Sequence, residues 1–320
     1  MKKTIILFLS IFINSIAFVS AQTVGQNGKE VMEVEITNGH IDVVSGIVYS
    51  QITTSRENRT LKMTLLIPQT DEPKPAIVFC PGGGFTSAAN ERYIEMRMAL
   101  AEAGFVVASI EYRTVLDKFP ALVIDGKSAI RYLREHAEQF GINPEKIGVI
   151  GDSAGGYLSQ MLGVTGNENE FDQGDFTDKR SDVQAVVTIY GISNLLNIGE
   201  GYSKEIQEVH ASPAVTEALL VHGPAFASFK GSSILSDTIK AMHASPMGHI
   251  KKGLPPFLIM HGTADKLVSQ VQSDQLYEAL RKNGTDVQYV LVKNAGHADI
   301  HWFQKPIIEK VVNWFTDKLK

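Results

Sequence analysis

The stretch IGVIGDSAGG, residues 147–156, decides how this chain folds. An apolar run leads into a serine between small residues, and a helix-like segment follows. This arrangement is typical of a nucleophile elbow, where a tight strand-to-helix turn exposes the serine hydroxyl. Side chains at Gly151 or Gly155 would collide with the neighbouring strand and helix, so glycine is required there. The stretch predicts that Ser153 is a nucleophile at the end of a buried strand.

Two later segments supply the partners that a serine nucleophile needs. A serine hydroxyl needs an adjacent base, and the base needs a third group to hold its tautomer. The apolar run at 256–260 leads into a loop that carries Asp265, and the strand predicted at 287–292 leads into a loop that carries His297. The order serine, aspartate, histidine is the one that the elbow motif requires. We therefore expect His297 to act as base and Asp265 to orient it.

A glycine-rich loop upstream is a candidate oxyanion hole. The apolar run at 76–80 ends in PGGGF, residues 81–85, whose bare backbone amides can approach a substrate oxygen closely. The amide of Ala154, at the start of the helix after the elbow, would complete the hole. The positive end of that helix favours a developing negative charge.

Together these motifs resemble the α/β-hydrolase superfamily and, within it, the compact carboxylesterases related to hormone-sensitive lipase. The resemblance extends from about residue 61 to the end of the chain. It rests on GGGF at 82–85, GDSAGG at 151–156, HGTAD at 261–265 and GH at 296–297. Those esterases usually carry a histidine before the three glycines, where this chain has Pro81. In this respect it looks more like secreted bacterial acetyl and feruloyl esterases that act on plant cell-wall polysaccharides.

The resemblance implies a set of site residues and no cofactor. Ser153 is implied as nucleophile, His297 as base and Asp265 as its orienter. The amides of Gly83, Gly84 and Ala154 are implied as the oxyanion hole, although the register of the glycine loop leaves open which two of its three amides face the oxygen. The mechanism implied needs neither a metal ion nor an organic cofactor.

The amino terminus and the composition bound the compartment and the partners. Residues 1–21 combine two lysines, an apolar run and the ending Val-Ser-Ala, which predicts a secretory signal peptide and an exported, periplasmic or secreted protein. The apolar run is shorter than the roughly 20 residues of a membrane anchor, so no membrane insertion is expected after cleavage. Cys80 is the only cysteine, which excludes an intrachain disulfide. The net charge of −5 and the lack of a basic stripe argue against nucleic acid as a partner.

The alternation of strand-like and helix-like segments predicts one α/β-hydrolase domain over residues 22–320, with a mostly parallel central sheet flanked by helices. Antiparallel edge strands are expected at 31–35 and 47–52, followed by a strand at 61–67. The other predicted strands are 76–80, 105–110, 147–150, 185–189, 257–260 and 287–291, and the predicted helices are 92–103, 124–139, 271–282 and 302–319. Ligands of such sheets bind beyond the carboxyl ends of the strands, where every candidate residue lies.

Residues 192–250, here called the insertion, interrupt this alternation. We interpret the insertion as a small cap that shapes the acyl or alcohol pocket; an excursion that packs on the sheet edge is the alternative. Helix-like pieces are expected around 213–221 and 233–242. Four histidines lie in the insertion, but no His-x-x-x-His spacing or cysteine partner supports a metal site. His301 is a second candidate for the base, and His261 is interpreted as a histidine satisfied by neighbouring backbone.

These features predict a serine carboxylesterase that hydrolyses short, acetyl-type esters through an acyl-enzyme intermediate. The substrate class expected is a small-molecule or glycan ester, in particular plant polysaccharide or oligosaccharide. Two alternatives stay open at this point. One is a serine peptidase or amidase of the same fold, and the other is a non-catalytic secreted binding protein on a hydrolase scaffold.

Overall fold

The chain divides into two compact units, Met1–Asn38 and Gly39–Lys320. The computed structural model describes residues 23–24, 29–37, 39–55 and 57–320, so the expected signal peptide at residues 1–21 lies outside the described residues. In the first unit, strands β1 (Thr23–Val24) and β2 (Glu30–Val31) pair antiparallel. The second unit carries the elbow, the glycine loop and the aspartate and histidine loops.

A single eight-stranded sheet forms the centre of the second unit. Its strands are β3 (Ile41–Thr53), β4 (Asn58–Pro68), β5 (Lys74–Cys80), β6 (Val106–Ile110), β7 (Ile142–Asp152), β8 (Ala185–Ile189), β9 (Phe257–Gly262) and β10 (Val287–Val292). Their spatial order is β10-β9-β8-β7-β5-β6-β4-β3. All neighbours from β10 to β6 are parallel, whereas β4 pairs antiparallel with both β6 and β3. The predicted mostly parallel sheet is confirmed.

Helices cover both faces of this sheet. They are α1 (Ile94–Glu102), α2 (Ala121–Glu135), α3 (Ala137–Phe140), α4 (Ala154–Val164), α5 (Lys204–His210), α6 (Thr216–His222), α7 (Thr238–His243), α8 (Val271–Lys282) and α9 (Lys305–Leu319). One apolar cluster joins α1 and α9 to one face, and a second joins α2, α4 and α8 to the other. Every residue of β5, β6, β8 and β9 is buried, as expected for parallel strands between two helical layers.

The parallel strands gather the candidate residues at one edge of the sheet. The glycine loop follows β5, Ser153 follows β7, Asp265 follows β9 and His297 follows β10. Carboxyl ends of parallel strands meet at the same edge, so residues far apart in sequence come together there.

Some predicted boundaries are wrong, each for a local reason. The strand expected at 31–35 ends at Val31, because among the described residues no strand pairs with those after Val31. The helix expected at 124–139 begins at Ala121 and is divided at His136, whose Nδ1 lies 2.9 Å from the Tyr132 carbonyl oxygen. The helix expected from residue 92 begins at Ile94, because Tyr93 has a φ of 55°.

The insertion holds three helices, α5, α6 and α7. Sequence reasoning predicted the second and third of these but not α5. Within the part of the chain that the structure describes, no helix is both long enough and apolar enough to cross a membrane.

Candidate active site

Ser153 occupies a strained turn between β7 and α4. Its φ is 53° and its ψ is −119°, a conformation that non-glycine residues rarely adopt and that is found at functional sites. A Cβ atom at Gly151 would overlap the Gly155 carbonyl oxygen, and one at Gly155 would overlap the Cys80 carbonyl oxygen. The Ser153 amide donates to the Ile189 carbonyl at 3.0 Å, which ties the turn to β8. The surrounding backbone therefore holds the serine in the turn.

Ser153, His297 and Asp265 form a continuous hydrogen-bonded chain. The distance from Ser153 Oγ to His297 Nε2 is 2.9 Å, and that from His297 Nδ1 to Asp265 Oδ2 is 2.8 Å. An ionised carboxylate only accepts, so Nδ1 carries the imidazole proton and Nε2 is left to accept from the serine hydroxyl. This is the arrangement that a serine nucleophile needs.

Asp265 is held as an anion in a buried position. Its side chain is 1 % exposed. Burial by itself raises the pKa of a carboxyl group, but the hydrogen bond and charge of His297 and the amides of Leu267 and Val268 outweigh it. These two amides donate to Asp265 Oδ1 at 2.9 and 3.0 Å. The pKa of Asp265 therefore lies below its ordinary value, and the carboxylate stays charged beside the imidazole.

The glycine loop and α4 place backbone amides beside the nucleophile. Gly84 and Ala154 line the same cavity as Ser153, whereas Gly83 does not line it. The amide of Gly82 is already used, since it donates to Asp152 Oδ1 at 2.8 Å. Among the described residues, the amides of Gly83, Gly84 and Ala154 have no acceptor. These three amides are free to donate to a substrate oxygen.

Asp152 anchors the glycine loop, a role that sequence reasoning did not assign. Besides accepting from the Gly82 amide, its carboxylate lies so close that a Cβ atom at Gly82 would overlap it. Burial raises the pKa of Asp152, while the Gly82 amide, Arg92 and His297 act in the opposite direction. Arg92 also donates to the Gly82 carbonyl at 3.2 Å. The GDSAG pattern contains Asp152, but only the folded structure shows that the partner of its carboxylate is the Gly82 amide.

The loop that carries His297 is held by its own set of contacts. The Gly296 amide donates to Asp299 Oδ2 at 2.5 Å, and Trp302 Nε1 donates to the Gly296 carbonyl at 2.8 Å. The ring of Tyr190 lies 4.5 Å from that of His297. His301, the second candidate for the base, lies 2.9 Å from Asp299 Oδ1 and does not line the Ser153 cavity.

His261 and three of the four histidines of the insertion are paired within the protein. His261 is buried, and its ring lies 3.0 Å from the Val268 carbonyl oxygen and 2.7 Å from Ser273 Oγ. In the insertion, His210, His243 and His249 each lie beside a glutamate. No group of three or more potential metal ligands occurs among the described residues.

The cavity at Ser153 is small and is completed by the insertion. Its volume is about 100 Å³. Five residues of the insertion line it: Ile192, Ile198, His210, Thr216 and Glu217. Phe85, Leu267 and Val268 add apolar surface from the loops of the sheet. We call this space the Ser153 cavity.

Fold and site together define a protein of the α/β-hydrolase class. The chain belongs to the BD-FAE family, whose model matches residues 63–280. Among solved structures, a truncated carbohydrate esterase from gut microbiota is similar, with a TM-score of 0.73 and 25 % identity over 87 % of this chain and 96 % of that chain. Esterase 2 of Thermogutta terrifontis, phosphonylated by cyclosarin, has a TM-score of 0.64 and 25 % identity over 88 % of this chain and 95 % of that one.

Two curated relatives are also named as an ester hydrolase or an esterase. The probable carboxylic ester hydrolase LipM of Mycobacterium tuberculosis is 29 % identical over 210 residues, which are 65 % of this chain and 45 % of LipM. Esterase LipC of the same organism is 29 % identical over 235 residues, or 71 % of this chain and 53 % of LipC. The chain thus spans about half the length of these two relatives.

Proposed function

We propose that this protein is a serine carboxylesterase that removes short, acetyl-type acyl groups from plant polysaccharide or oligosaccharide. The observation that carries the proposal is the hydrogen-bonded chain from Ser153 through His297 to the buried Asp265. The names of the similar proteins, which include a carbohydrate esterase and a carboxylic ester hydrolase, support the ester class and the sugar class of substrate.

The mechanism is acyl transfer through a covalent intermediate. His297 Nε2 takes the proton of Ser153 as Oγ attacks the ester carbonyl carbon, and Asp265 stabilises the imidazolium. The amide of Ala154, with those of Gly83 and Gly84, donates to the oxyanion. The carbon–oxygen bond to the alcohol then breaks, and the alcohol leaves with the proton from His297. Water enters and repeats the cycle, releasing the acid and free Ser153.

The small Ser153 cavity supports a short acyl group. Its volume of about 100 Å³ is below the roughly 300 Å³ at which small-molecule sites begin, so the space beside Ser153 favours a short acyl group over a long one. We also propose that the insertion serves as a cap, because five of its residues line this cavity. Export to the periplasm or beyond is part of the proposal and is supported by the signal-like pattern of residues 1–21.

The test is hydrolysis of 4-nitrophenyl acetate, butyrate and octanoate by the wild-type protein and by Ser153→Ala. We expect rapid turnover of the acetate, a decline with chain length, and loss of nearly all activity in the variant, about 10⁶-fold in kcat. Turnover that survives in Ser153→Ala would assign the chemistry to another group. Absence of turnover with all three esters would favour the peptidase or the binding scaffold instead.

A further inference from the structure

A second, larger cavity adjoins the Ser153 cavity. Its volume is about 340 Å³, and it shares two wall residues, Ile198 and His210, with the Ser153 cavity. Volumes of small-molecule sites start at roughly 300 Å³, so this cavity suits one small ring whereas the Ser153 cavity does not. A ligand could therefore extend from Ser153 past His210 into this second cavity.

The walls of the second cavity match the chemistry of a sugar. Four polar side chains line it: Asn197, Glu200, Gln207 and His210. Between them they offer carboxylate, amide and imidazole groups, so both donors and acceptors are available, as hydroxyl groups require. The apolar side chains of Ile234 and Leu235 line the same cavity and provide surface for the C–H groups of a ring.

A buried amide network fixes Asn197 in place. Gln272 Nε2 donates to Asn197 Oδ1 at 2.9 Å, and Asn197 Nδ2 donates to Gln275 Oε1 at 3.1 Å. Gln272 is fully buried, and its Oε1 accepts from the Ser193 amide at 3.0 Å. Asn197 Nδ2 also donates to Glu200 Oε2, so the network holds the Glu200 carboxylate at the cavity wall, and a side chain held in this way loses little conformational entropy when a ligand binds.

A buried carboxylate fixes His210. The distance from His210 Nδ1 to Glu217 Oε1 is 2.5 Å, and the Glu217 side chain is 4 % exposed. A buried carboxylate is costly unless it is paired, so Glu217 holds the imidazole strongly. Glu217 accepts from the Nδ1–H group, which leaves Nε2 as the free ring nitrogen. Among the described residues, Nε2 of His210 has no partner. It is available to a ligand at the junction of the two cavities.

We propose that the second cavity is the binding site for the sugar part of the ester, with His210 Nε2, Glu200 and Gln207 as its hydrogen-bonding groups and Glu217 as the residue that positions His210. The acyl group occupies the Ser153 cavity. This assignment rests on the proposed esterase function, which it deepens by locating the alcohol side of the substrate.

The experiment compares two esters that share an acetyl group and differ in the alcohol: mono-O-acetylated xylobiose and 4-nitrophenyl acetate. The kcat and KM for both are measured for the wild type, His210→Ala and Gln207→Ala. We expect His210→Ala to raise KM for the sugar ester and to lower the ratio of kcat/KM, sugar ester over nitrophenyl ester, about tenfold. Gln207→Ala is expected to lower this ratio about threefold.

Glu208→Ala is the matched control, since Glu208 is exposed, neighbours Gln207 on α5 and lines neither cavity. In this control, the ratio of kcat/KM for the sugar ester to that for the nitrophenyl ester is expected to equal that of the wild type. Gln207 is also exposed, so Gln207→Ala tests the proposed sugar site even if His210→Ala does not fold. An unchanged ratio in Gln207→Ala, with hydrolysis still dependent on Ser153, overturns the sugar site and leaves the esterase standing. Hydrolysis that does not depend on Ser153 overturns the esterase itself.

Discussion

The loops that follow β5, β7, β9 and β10 differ from the insertion in how their side chains are held. In the loops, each candidate residue sits one to five residues beyond the end of a strand of the central sheet, and backbone groups hold the turn of Ser153 and the carboxylate of Asp265. In the insertion, the polar side chains are held by other side chains, as Asn197 is by Gln272 of α8 and His210 is by Glu217 of α6. The first region carries the proposed chemistry, and the second borders the space where the alcohol would lie.

This difference agrees with the separate demands of rate and specificity. Rate depends on geometry fixed to within a fraction of an ångström, which short loops on a rigid sheet provide. Specificity depends on what fills the remaining space, and a segment between two strands can change that space without disturbing the sheet. Substitutions in the loops should therefore act mainly on kcat, and those in the insertion mainly on KM for the sugar ester.

Apart from Ser153→Ala, the largest effect is expected from Asp265→Asn. The amide cannot hold His297 in the tautomer that accepts from Ser153, so kcat for 4-nitrophenyl acetate should fall about 10⁴-fold with little change in KM. Steady-state kinetics at neutral pH measures this. His301→Ala is the control, because His301 pairs with Asp299 outside the Ser153 cavity, and its kcat should stay within about twofold of the wild type. A larger loss in the control than in Asp265→Asn would make His301, and not His297, the base.

Asp265→Asn should also change how the free energy of unfolding depends on pH. Because the pKa of Asp265 is lowered from its ordinary value of 3.8, the ionised form stabilises the folded state above pH 3.8, and this contribution is lost as the pH falls through the lowered folded-state value. The gap in free energy of unfolding between wild type and Asp265→Asn should therefore narrow on acidification below pH 3.8. Urea unfolding across that range measures the gap, and a gap that widens would contradict the local interactions described for Asp265.

The sequence was sufficient to predict the loops because their signals are local. A strand-like run followed by small residues and one reactive side chain predicted where Ser153, Asp265 and His297 would lie, and the parallel sheet brings them together. The insertion offered no such signal. The contact between Asn197 and Gln272 joins residues 75 apart, and the pair His210 and Glu217 is visible only once α5 and α6 are folded.

Contacts within the loops were missed for a related reason. The sequence placed Asp152 next to the nucleophile but could not show that its carboxylate accepts from the Gly82 amide of a loop 70 residues earlier. The strand expected at 31–35 shows the converse case. A strand was expected there, but among the described residues the pairing stops at Val31, where β2 ends.

The second largest effect concerns the rigidity of the elbow. Gly155→Ala would drive a methyl group into the Cys80 carbonyl oxygen of β5, and overpacking of this kind costs about 3 kcal/mol or more of folding free energy. Urea unfolding measures the loss. Gly39→Ala is the control, since its added Cβ would lie 3.8 Å from the nearest heavy atom, the Gln69 carbonyl oxygen, which is ordinary contact. Equal stability of the two variants would mean that the elbow is not the rigid region described here.

A smaller effect is expected at the anchor of the glycine loop. Asp152→Ala removes the acceptor of the Gly82 amide and frees the loop whose next amides are proposed to donate to the substrate oxygen. We expect kcat to fall about 10²-fold, comparable with the loss of one oxyanion-hole donor. Asp152→Asn keeps an oxygen that can accept the same hydrogen bond and should lose less. Equal losses in both variants would show that the charge of Asp152, and not its hydrogen bond, sustains the rate.

The smallest effect is expected at the contact between α4 and the insertion. The Tyr157 hydroxyl, on α4, donates to the Ala244 carbonyl of the insertion at 2.6 Å and is fully buried. Tyr157→Phe leaves that carbonyl without its partner and should lower the free energy of unfolding by about 1–2 kcal/mol. The same deletion at Tyr289, whose hydroxyl bonds Asp274 in a half-buried position, should cost less.

Hydrogen exchange and kinetics decide what the Tyr157 contact does. If the loops and the insertion are separately held, Tyr157→Phe should speed exchange of amides in α7 while kcat for 4-nitrophenyl acetate stays within about twofold of the wild type. A loss of kcat similar to that of Asp152→Ala would mean that the insertion positions the nucleophile through α4. In that case the division between a region for rate and a region for specificity would fail, because one hydroxyl group would couple the two.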